Sequence, residues 1–448
     1  MNFGHGFRRE RTRCNVSAWP TPSGPGNDAG LWIADCETTE GWRSVAVSDD
    51  PASRYAMARV LVRESHEPRG FVVVPVTSGT VRPEDVRAAA RRHNLPVVDA
   101  EGDGAPGHAA NVPASGRSPS LDAEIDATPG ITVAICTRDR PAELSRCLDT
   151  LRGLDYPSFE VLVIDNAPSG PATHEIVGRV ASHDARIRYV REDRPGLSNA
   201  RNRALREAHF EIVAFTDDDV RIDPWWLRAL ARGFQRGPHV ACVTGLVAVA
   251  RLRTSSERFF EARVSWSDRL VPAEYDLSHP APTVLFPFRP GLFGTGANFA
   301  VERQFMEELG GFDPVLGAGS PTNGGEDLDA FVRIILASRT IAYEPAAIIW
   351  HFHRTSEAGL STQMRDYGMG LSALVTKWLL APGTRKQVLR RVIPGTVHAV
   401  RMWRSTAFEA SVGTRHPCGI LLAELQGVLA GPMRYWAAER AERRAIAS

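Results

Sequence analysis

The sequence of 448 residues has no long uninterrupted apolar segment. A helix that crosses a bilayer needs about 20 consecutive apolar residues, so the chain is not expected to span a membrane. An excess of charge of one sign is also missing, because 53 basic and 52 acidic side chains leave a formal net charge of +1. The overall charge therefore indicates no particular partner, and a nucleic acid is not expected as one.

Closely spaced cysteines are missing as well. The six cysteines lie far apart, with no Cys-x-x-Cys pair and no histidine at the spacing of a zinc site. This pattern favours a reduced, cytoplasmic setting. The arginines near the N-terminus are followed by no apolar core of the kind that a secretory signal requires. Any contact with the inner face of a membrane is therefore expected to be peripheral.

Changes in composition divide the chain into several parts, as its length already suggests. Stretches rich in Gly, Pro, Ser and Ala predict a flexible tail at the start and a linker in the middle. Between them, short strands rich in β-branched residues precede one helix, which predicts a small α+β module. The predicted boundaries are a tail at 1–28, the module at 29–100, a linker at 101–129, a main domain at 130–356 and a helical region at 357–448.

The main domain alternates between apolar strands and helices. Strands are predicted at Ile131–Cys136, Val161–Ile164, Ile187–Val190 and Ile212–Phe215, and the first two flank a helix at Pro141–Leu151. Alternation of this kind is typical of an α/β fold with a mostly parallel sheet covered by helices. Ligands of such sheets bind beyond the carboxyl ends of the strands, so polar residues at those ends are candidates for a site.

The C-terminal region is predicted to be helical, with an apolar stripe on its last helix. Another group of apolar residues, with Lys377 nearby, allows two interpretations: packing against the main domain, which we favour, or contact with a membrane surface. The stripe consists of Leu421, Leu425, Val428 and Leu429, and the group of Leu371, Leu374, Trp378 and Leu379.

Three carboxylates follow directly on the strand Ile212–Phe215, at Asp217, Asp218 and Asp219. Neighbouring carboxylates raise one another's pKa, so a cluster at a strand end is costly unless a cation neutralises it. Mg²⁺ or Mn²⁺, shared with phosphate oxygens, suits such a set of hard ligands. The alternative is a solvated acidic turn before a helix.

Glu326 and Asp327 stand at the predicted start of another helix, after two glycines. Acidic residues at this position are favoured by the helix dipole, so capping is one interpretation. The other makes one carboxylate a general base, since a helix start flanked by glycines can hold it near an acceptor hydroxyl.

Two further segments carry groups that suit a nucleotide. Gly296 lets the backbone approach a ligand closely, and Asn298 offers both a donor and an acceptor. Arg201 lies near the start of the helix predicted at 199–208, where an arginine can contact a phosphate. Ordinary turn and capping roles explain both segments equally well.

His351 and His353 end an apolar stretch and are separated by one residue. Alternation along a strand puts both on one side, so either can reach a metal site that the other misses. We expect His351 to be the better candidate for a metal ligand.

Taken together, the segment from Ile131 to His353 resembles the large family-2 glycosyltransferases with the GT-A fold. It would be a soluble or peripheral member of actinobacterial type, with an additional N-terminal module. The motifs that carry the resemblance are Val133–Arg140, Val161–Asn166, Gly196–Asn202, Asp217–Asp219, Gly296–Asn298 and Gly325–Asp327.

This resemblance implies a nucleotide-sugar donor, an acceptor hydroxyl and a role in making glycans of the cell envelope. Thr137, Arg138 and Asp165 would hold the nucleoside. Asp217 and Asp219 would serve the ribose, the cation and the diphosphate, and Asp327 would be the base of an inverting displacement. The acceptor, whether a glycan, a lipid-linked molecule or a small molecule, is not indicated, and neither is an oligomeric state.

The chain also departs from relatives of this kind. Processive synthases carry Gln-x-x-Arg-Trp, whereas here Gln363-Met364-Arg365 is followed by Asp366, which favours a non-processive enzyme. One alternative is a nucleotidyltransferase, but the glycine-rich loop expected after the first strand is missing from Thr137–Pro141. A second alternative, an inactive protein that binds nucleotide sugars, is disfavoured by the intact Asp217, Asp219 and Asp327.

Overall fold

The computed structural model of the chain describes residues 30–95, 128–411 and 417–447. The predicted tail at 1–28 and nearly all of the predicted linker at 101–129 lie outside these described residues. The first part forms a four-stranded sheet in the order β2-β1-β3-β4 with one helix. Its elements are β1 (Leu31–Glu37), β2 (Arg43–Ala46), a 3₁₀ turn (Ala52–Arg54), β3 (Met57–Glu64), β4 (Glu67–Pro75) and α1 (Pro83–Arg92).

The main part alternates strands and helices as the apolar pattern predicts. Its first half contains β5 (Ile131–Thr137), α2 (Pro141–Leu151), β6 (Phe159–Asn166), α3 (Ala172–Ala181), β7 (Ile187–Glu192), α4 (Leu197–Glu207), β8 (Ile212–Thr216) and β9 (Val220–Ile222). Its second half contains α5 (Trp226–Phe234), β10 (Val240–Val249), α6 (Ser255–Val264), β11 (Ala273–Tyr275), β12 (Asn298–Glu302), α7 (Arg303–Glu308), α8 (Glu326–Leu336) and β13 (Thr340–His351).

These strands form one mixed sheet in the order β11-β13-β10-β12-β8-β5-β6-β7, with β9 paired to β13. Strands β5, β6, β7, β8, β10 and β13 run in one direction, and β9, β11 and β12 run against them. Helices cover both faces of the sheet and enclose two apolar clusters. The predicted fold class, a mixed and mostly parallel sheet flanked by helices, is confirmed.

The N-terminal sheet packs directly on the main sheet. One face buries α1 through Val86, Ala89 and Ala90. Side chains of the opposite face, among them Ile33 and Leu61, join those of β10 and β13 in a single apolar cluster. Burial on both faces explains why β1 and β3 are nearly continuous apolar runs.

The C-terminal region consists of the helices α9 (Glu357–Leu380), α10 (Pro382–Leu389), α11 (Val392–Ser411) and α12 (Pro417–Ala447). Leu374 and Trp378 of α9 are buried in an apolar cluster with α8 and α12, which excludes a membrane-facing role for these two residues. Of the helices that the structure describes, none is at once long and apolar enough to cross a membrane.

Helices α9 and α12 approach each other through small residues. A Cβ atom added to Gly427 would lie 1.9 Å from the carbonyl oxygen of Arg365, and one added to Gly431 would lie 2.5 Å from that of Met369. Contact at this distance leaves no room for a side chain at these two positions. Leu425 and Leu429 of the predicted stripe are exposed.

Candidate active site

The carboxyl edge of the main sheet brings together polar segments that are far apart in sequence. Strand β5 ends at Thr137, β6 at Asn166, β8 at Thr216 and β13 at His351. Strand β12 runs in the opposite direction and begins at the same edge with Asn298. This edge is where ligands bind in open α/β sheets, so the predicted site residues meet where the fold offers a crevice.

Asp217, Asp219 and His351 form a group with the chemistry of a metal site. One ligand atom from each residue lies within 4.8 Å of the others. The two carboxylates come from the turn after β8, and His351 is the last residue of β13, with its Nε2 atom 3.3 Å from Oδ1 of Asp219. Pairing of β9 with β13 fixes the acidic turn beside the histidine, with Val220 opposite His351.

The charges of this acidic turn are unevenly compensated. Burial and the charge of Asp219 raise the pKa of Asp217 to about 6. Burial would also raise the pKa of Asp219, but the charges and hydrogen bonds of His351 and Arg140 hold it well below its usual range. Arg140, which our reading of the sequence missed, donates to Asp219 Oδ2 at 2.7 Å. A cation beside Asp217 and Asp219 would therefore be electrostatically favourable.

Asp218 points into the protein. Its Oδ2 atom accepts a hydrogen bond from Thr137 Oγ1 at 2.6 Å, and its Oδ1 atom accepts one from Arg140 at 2.5 Å. Burial raises the pKa of Asp218 to about 7. The predicted nucleotide contacts Thr137 and Asp218 thus bond to each other and fix the acidic turn to the end of β5.

His353 lies behind His351, on the side away from Asp217 and Asp219. The two Nδ1 atoms are 3.2 Å apart, and His353 Nε2 lies 3.1 Å from Oε2 of Glu261 on α6. Of the two histidines, only His351 belongs to the group that could hold a metal. Glu261 is a buried acid on a helix far along the chain, and no local pattern distinguishes it from a surface residue.

Of the Glu-Asp pair at the start of α8, Asp327 lies near the surface and Glu326 lies in the interior. Asp327 is partly exposed, and its Oδ2 atom accepts a hydrogen bond from the backbone N–H of Gly296 at 2.6 Å. Glu326 is buried and accepts a hydrogen bond from Arg201 at 2.9 Å. Burial raises the pKa of Glu326 to about 7, although the charge of Arg201 opposes this shift. Of the two carboxylates, Asp327 is the one that a substrate can reach.

Arg201 lies beneath the site, with 3% of its surface exposed. In addition to Glu326, it donates to the carbonyl oxygen of Gly296 at 2.8 Å, and three phenylalanine rings surround its guanidinium group. Arg201 is therefore not exposed for the contact with a nucleotide phosphate that the sequence predicted. Its position instead connects the Gly296 loop to the start of α8.

Asn298 is fully buried and bonded on both sides. Its Oδ1 atom accepts from Trp226 Nε1 at 2.8 Å, and its Nδ2 atom donates to the carbonyl oxygens of Leu246 and Ala347 at 2.9 and 2.8 Å. All polar atoms of this side chain are therefore occupied, by Trp226 of α5 and by backbone carbonyls of β10 and β13. None is left for the ligand contact that the sequence suggested for Asn298.

We predict that Arg201→Met lowers the free energy of unfolding by about 3 to 5 kcal/mol, because it leaves the buried Glu326 without its partner. Urea unfolding followed by circular dichroism measures this change. Arg203→Met is a matched control on the same helix, since Arg203 pairs with Glu207 at the surface, where such a pair contributes at most about 1 kcal/mol. Equal losses in the two variants would contradict the supporting role of Arg201.

The end of β6 offers an unsatisfied acceptor. Asp165 is fully buried, and its Oδ2 atom accepts a hydrogen bond from the Tyr189 hydroxyl at 2.9 Å. Its Oδ1 atom is buried with no hydrogen-bond partner among the residues that the structure describes. Burial raises the pKa of Asp165, which makes a donor from a ligand favourable at this position. Arg138, at the end of the neighbouring strand, is half-exposed.

Comparison with known proteins identifies the class of the main domain. Residues 132–299 match the sequence model of glycosyl transferase family 2. This match agrees with the resemblance that the sequence motifs indicated, and it favours a glycosyltransferase over the nucleotidyltransferase alternative. This matched segment includes the acidic turn, Asp165 and Gly296, whereas Asp327 and His351 lie beyond it.

Individual relatives share this central region. The chain is 28% identical over 238 residues to the pre-mycofactocin glycosyltransferase of Mycobacterium tuberculosis, covering 53% of this chain and 44% of that protein. It is 27% identical over 225 residues to the succinoglycan biosynthesis protein ExoM of Rhizobium meliloti, covering 48% of this chain and 65% of that one. A mannosyltransferase of Pyrobaculum calidifontis, solved with GDP-Man and Mn²⁺, is 20% identical with a TM-score of 0.44 and covers 70% of this chain and 87% of its own.

Proposed function

We propose that this protein transfers a sugar from a nucleotide-sugar donor to an acceptor hydroxyl and depends on a divalent cation. The observation that carries the proposal is the convergence of Asp217, Asp219 and His351 at the carboxyl edge of the sheet. The partly exposed Asp327 supports it, because this carboxylate starts α8 at the same site and is held by the Gly296 loop. The chain matches 44% of the length of the mycobacterial relative and 65% of that of ExoM, so the proposal depends on these residues and not on the relatives' activities.

The donor set of the acidic turn fits Mn²⁺ or Mg²⁺. Two carboxylate oxygens and one imidazole nitrogen leave coordination positions for the oxygens of a diphosphate. When bound, such a cation would stabilise the negative charge that develops on the departing nucleoside diphosphate. Arg140 already balances part of the charge of Asp219, and Arg354 reaches to 4.0 Å from the same carboxylate. These two arginines add positive charge on the diphosphate side.

Asp165 supports the nucleoside end of the donor. Its Oδ1 atom is buried without a hydrogen-bond partner among the described residues, so it could accept a hydrogen bond from an N–H group of a base or from a ribose hydroxyl that displaces the side chains covering it. Arg138 is exposed beside it and can lie over the base. Thr137 contributes indirectly, because its hydroxyl holds Asp218 and thereby the acidic turn.

Asp327 is the proposed general base. The hydrogen bond from Gly296 N–H fixes its Oδ2 atom, and its Oδ1 atom accepts from the backbone N–H of Leu328 at 2.8 Å. As the acceptor oxygen bonds to the anomeric carbon, its proton moves to Asp327 and the bond to the diphosphate oxygen breaks. A single displacement of this kind inverts the anomeric centre.

A pocket of about 270 Å³ beside the cation site is the proposed place for the acceptor. Its lining includes Trp266, Arg269, Arg289 and Thr295. The Trp266 ring packs edge-on against His351, with centroids 5.8 Å apart, and Thr295 directly precedes Gly296. Two residues of the lining therefore adjoin the proposed cation ligand His351 and the loop that holds the proposed base. An aromatic ring with nearby polar groups suits the face of a sugar.

A screen of nucleotide sugars tests the proposal. Each donor would be incubated with the protein and Mn²⁺, and release of nucleoside diphosphate would be measured, because water can replace an unknown acceptor. We expect cleavage of at least one donor and an opposite anomeric configuration in the first product seen by proton NMR. Failure of all donors to bind or react would refute the proposal, and retention at the anomeric carbon would refute the single displacement.

A further inference from the structure

We propose that helices α11 and α12 bind the surface of an anionic membrane. Five apolar side chains of α12 recur at the spacing of one helix face and are all exposed: Leu422, Leu425, Leu429, Met433 and Trp436. Met433 is 79% exposed and Leu429 70%. Because α12 contacts α9 through glycines, this apolar stripe is directed away from the protein.

Helix α11 and the residue that ends α10 carry a second exposed stripe. Ile393, Val397 and Val400 share one face of α11, Leu389 is exposed at the end of α10, and Ile393 is 78% exposed. Several exposed apolar side chains on neighbouring helices are uncommon on a protein that faces only water. The two stripes lie on helices that contact each other.

Charge identifies the partner. Residues 381–404 contain six basic residues and no acidic one: Arg385, Lys386, Arg390, Arg391, Arg401 and Arg404. On α12, Glu424 is buried and paired with Arg263, and Glu439 and Glu442 lie beyond the exposed stripe and pair with Arg443 and Arg194. Basic residues beside exposed apolar ones are typical of helices that lie in the interface of a membrane with anionic lipids. A second copy of this chain would bring the same positive charges together, which disfavours self-association.

Sedimentation with vesicles tests this proposal. The full chain would be mixed with vesicles of phosphatidylcholine alone and with vesicles that also contain phosphatidylglycerol. We expect binding to the second kind, weakened by salt, and reduced about tenfold or more in Ile393→Asp and Met433→Asp. Val45→Asp is the matched control, because Val45 is 56% exposed on β2 of the N-terminal sheet, and it should bind as the wild type does.

Circular dichroism would first confirm that the variants are folded. Absence of binding to both kinds of vesicle, or an equal loss in Val45→Asp, would overturn the proposal. A dimer in light scattering that Ile393→Asp dissociates, without vesicle binding, would show that a second copy covers this surface instead.

A different observation concerns the N-terminal module, and it rests on the proposed cation site. A buried chain of polar contacts runs from this module to the site. Arg59 of β3 donates to Oε1 of Glu261 at 2.7 Å and to Ser267 Oγ at 3.0 Å. Glu261 contacts His353 at 3.1 Å, His353 contacts His351 at 3.2 Å, and His351 contacts Asp219 at 3.3 Å.

The order of these contacts places a proton on Nδ1 of His351. The carboxylate of Glu261 only accepts, so the Nε2–H of His353 donates to it, and the Nδ1 atom of a neutral His353 then accepts. The Nδ1–H of His351 donates to that atom, and the Nε2–H of His351 faces the carboxylate of Asp219, so the Nε2 proton is the one that leaves when a cation takes its place. We infer that Glu261, held by Arg59, is a positioning residue that prepares His351 to bind the cation.

Glu261→Gln tests this inference without changing the size of the side chain. The amide N–H₂ of the new residue would donate to His353 Nε2, and the resulting chain would remove the proton from His351 Nδ1. We expect affinity for Mn²⁺, measured by titration calorimetry without donor, to fall about 10- to 100-fold. The matched control is Glu344→Gln, a buried acid bonded to Arg232 and Arg236, whose Mn²⁺ affinity should stay that of the wild type.

Nitrogen NMR of the metal-free protein would report, independently of binding, whether Nδ1 of His351 carries a proton. An unchanged Nδ1–H and an unchanged Mn²⁺ affinity in Glu261→Gln would overturn the inference. If the wild type itself does not bind Mn²⁺, the proposed cation site fails instead, so the two failures are distinguishable.

Discussion

Asp327→Asn is expected to reduce sugar transfer by about 10²- to 10⁴-fold, the usual contribution of a general base. The amide retains the size of the carboxylate and can still accept the hydrogen bond from Gly296 N–H, so the loop should keep its position. It cannot take the proton of the acceptor hydroxyl. Initial rates of transfer, with the acceptor found by screening, measure the loss.

Binding separates this chemical effect from damage to the site. Asp327→Asn should bind Mn²⁺ and nucleoside diphosphate as the wild type does, because Asp327 is not among the proposed cation ligands. Asp193→Asn provides the matched control, since this residue is 78% exposed and pairs with Arg191 at the surface. Full transfer activity in Asp327→Asn would show that Asp327 is not the general base.

Asp219→Ala is expected to abolish the dependence of diphosphate binding on Mn²⁺. The substitution removes one carboxylate of the cation site and the partner of both Arg140 and His351. Titration calorimetry of the nucleoside diphosphate, with Mn²⁺ and with a chelator, measures the effect. In the wild type the cation should raise the affinity, and in Asp219→Ala this gain should fall by about tenfold or more.

His351→Ala provides a second test from the other strand. It leaves the acidic turn and its bonds to Arg140 in place and removes only the imidazole. The same loss of Mn²⁺-dependent binding is expected. Equal affinities with and without Mn²⁺ in the wild type, or an undiminished gain in both variants, would contradict the cation role.

Much of the fold is evident from local pattern. The predicted strand at Ile131–Cys136 is confirmed as β5, and the helix at Pro141–Leu151 is confirmed with the same limits. Strand β5 is buried on both faces and α2 on one, so a continuous apolar run locates the strand and apolar residues at helical spacing locate the helix. The spacing of the predicted stripe on α12 did not indicate its direction: Gly427 and Gly431 form the contact with α9, and Leu429 is exposed.

The site was only partly predictable, because several of its contacts join residues that are distant in sequence. Asp217 and Asp219 are recognisable as a cluster since they follow one strand directly. Arg201 was predicted to contact a phosphate from its place near a helix start. Its burial results from packing between α4, α8 and the Gly296 loop, which no local spacing reveals. The contact between Arg59 and Glu261 spans 202 positions of the chain.

Removal and return of the cation test the central claim most directly. The protein would be treated with a chelator and desalted, and release of nucleoside diphosphate from the donor found by screening would be measured before and after Mn²⁺ is added. We predict no release above background in the chelated protein, full recovery with Mn²⁺ and a smaller recovery with Mg²⁺. Undiminished release in the presence of the chelator would contradict this prediction.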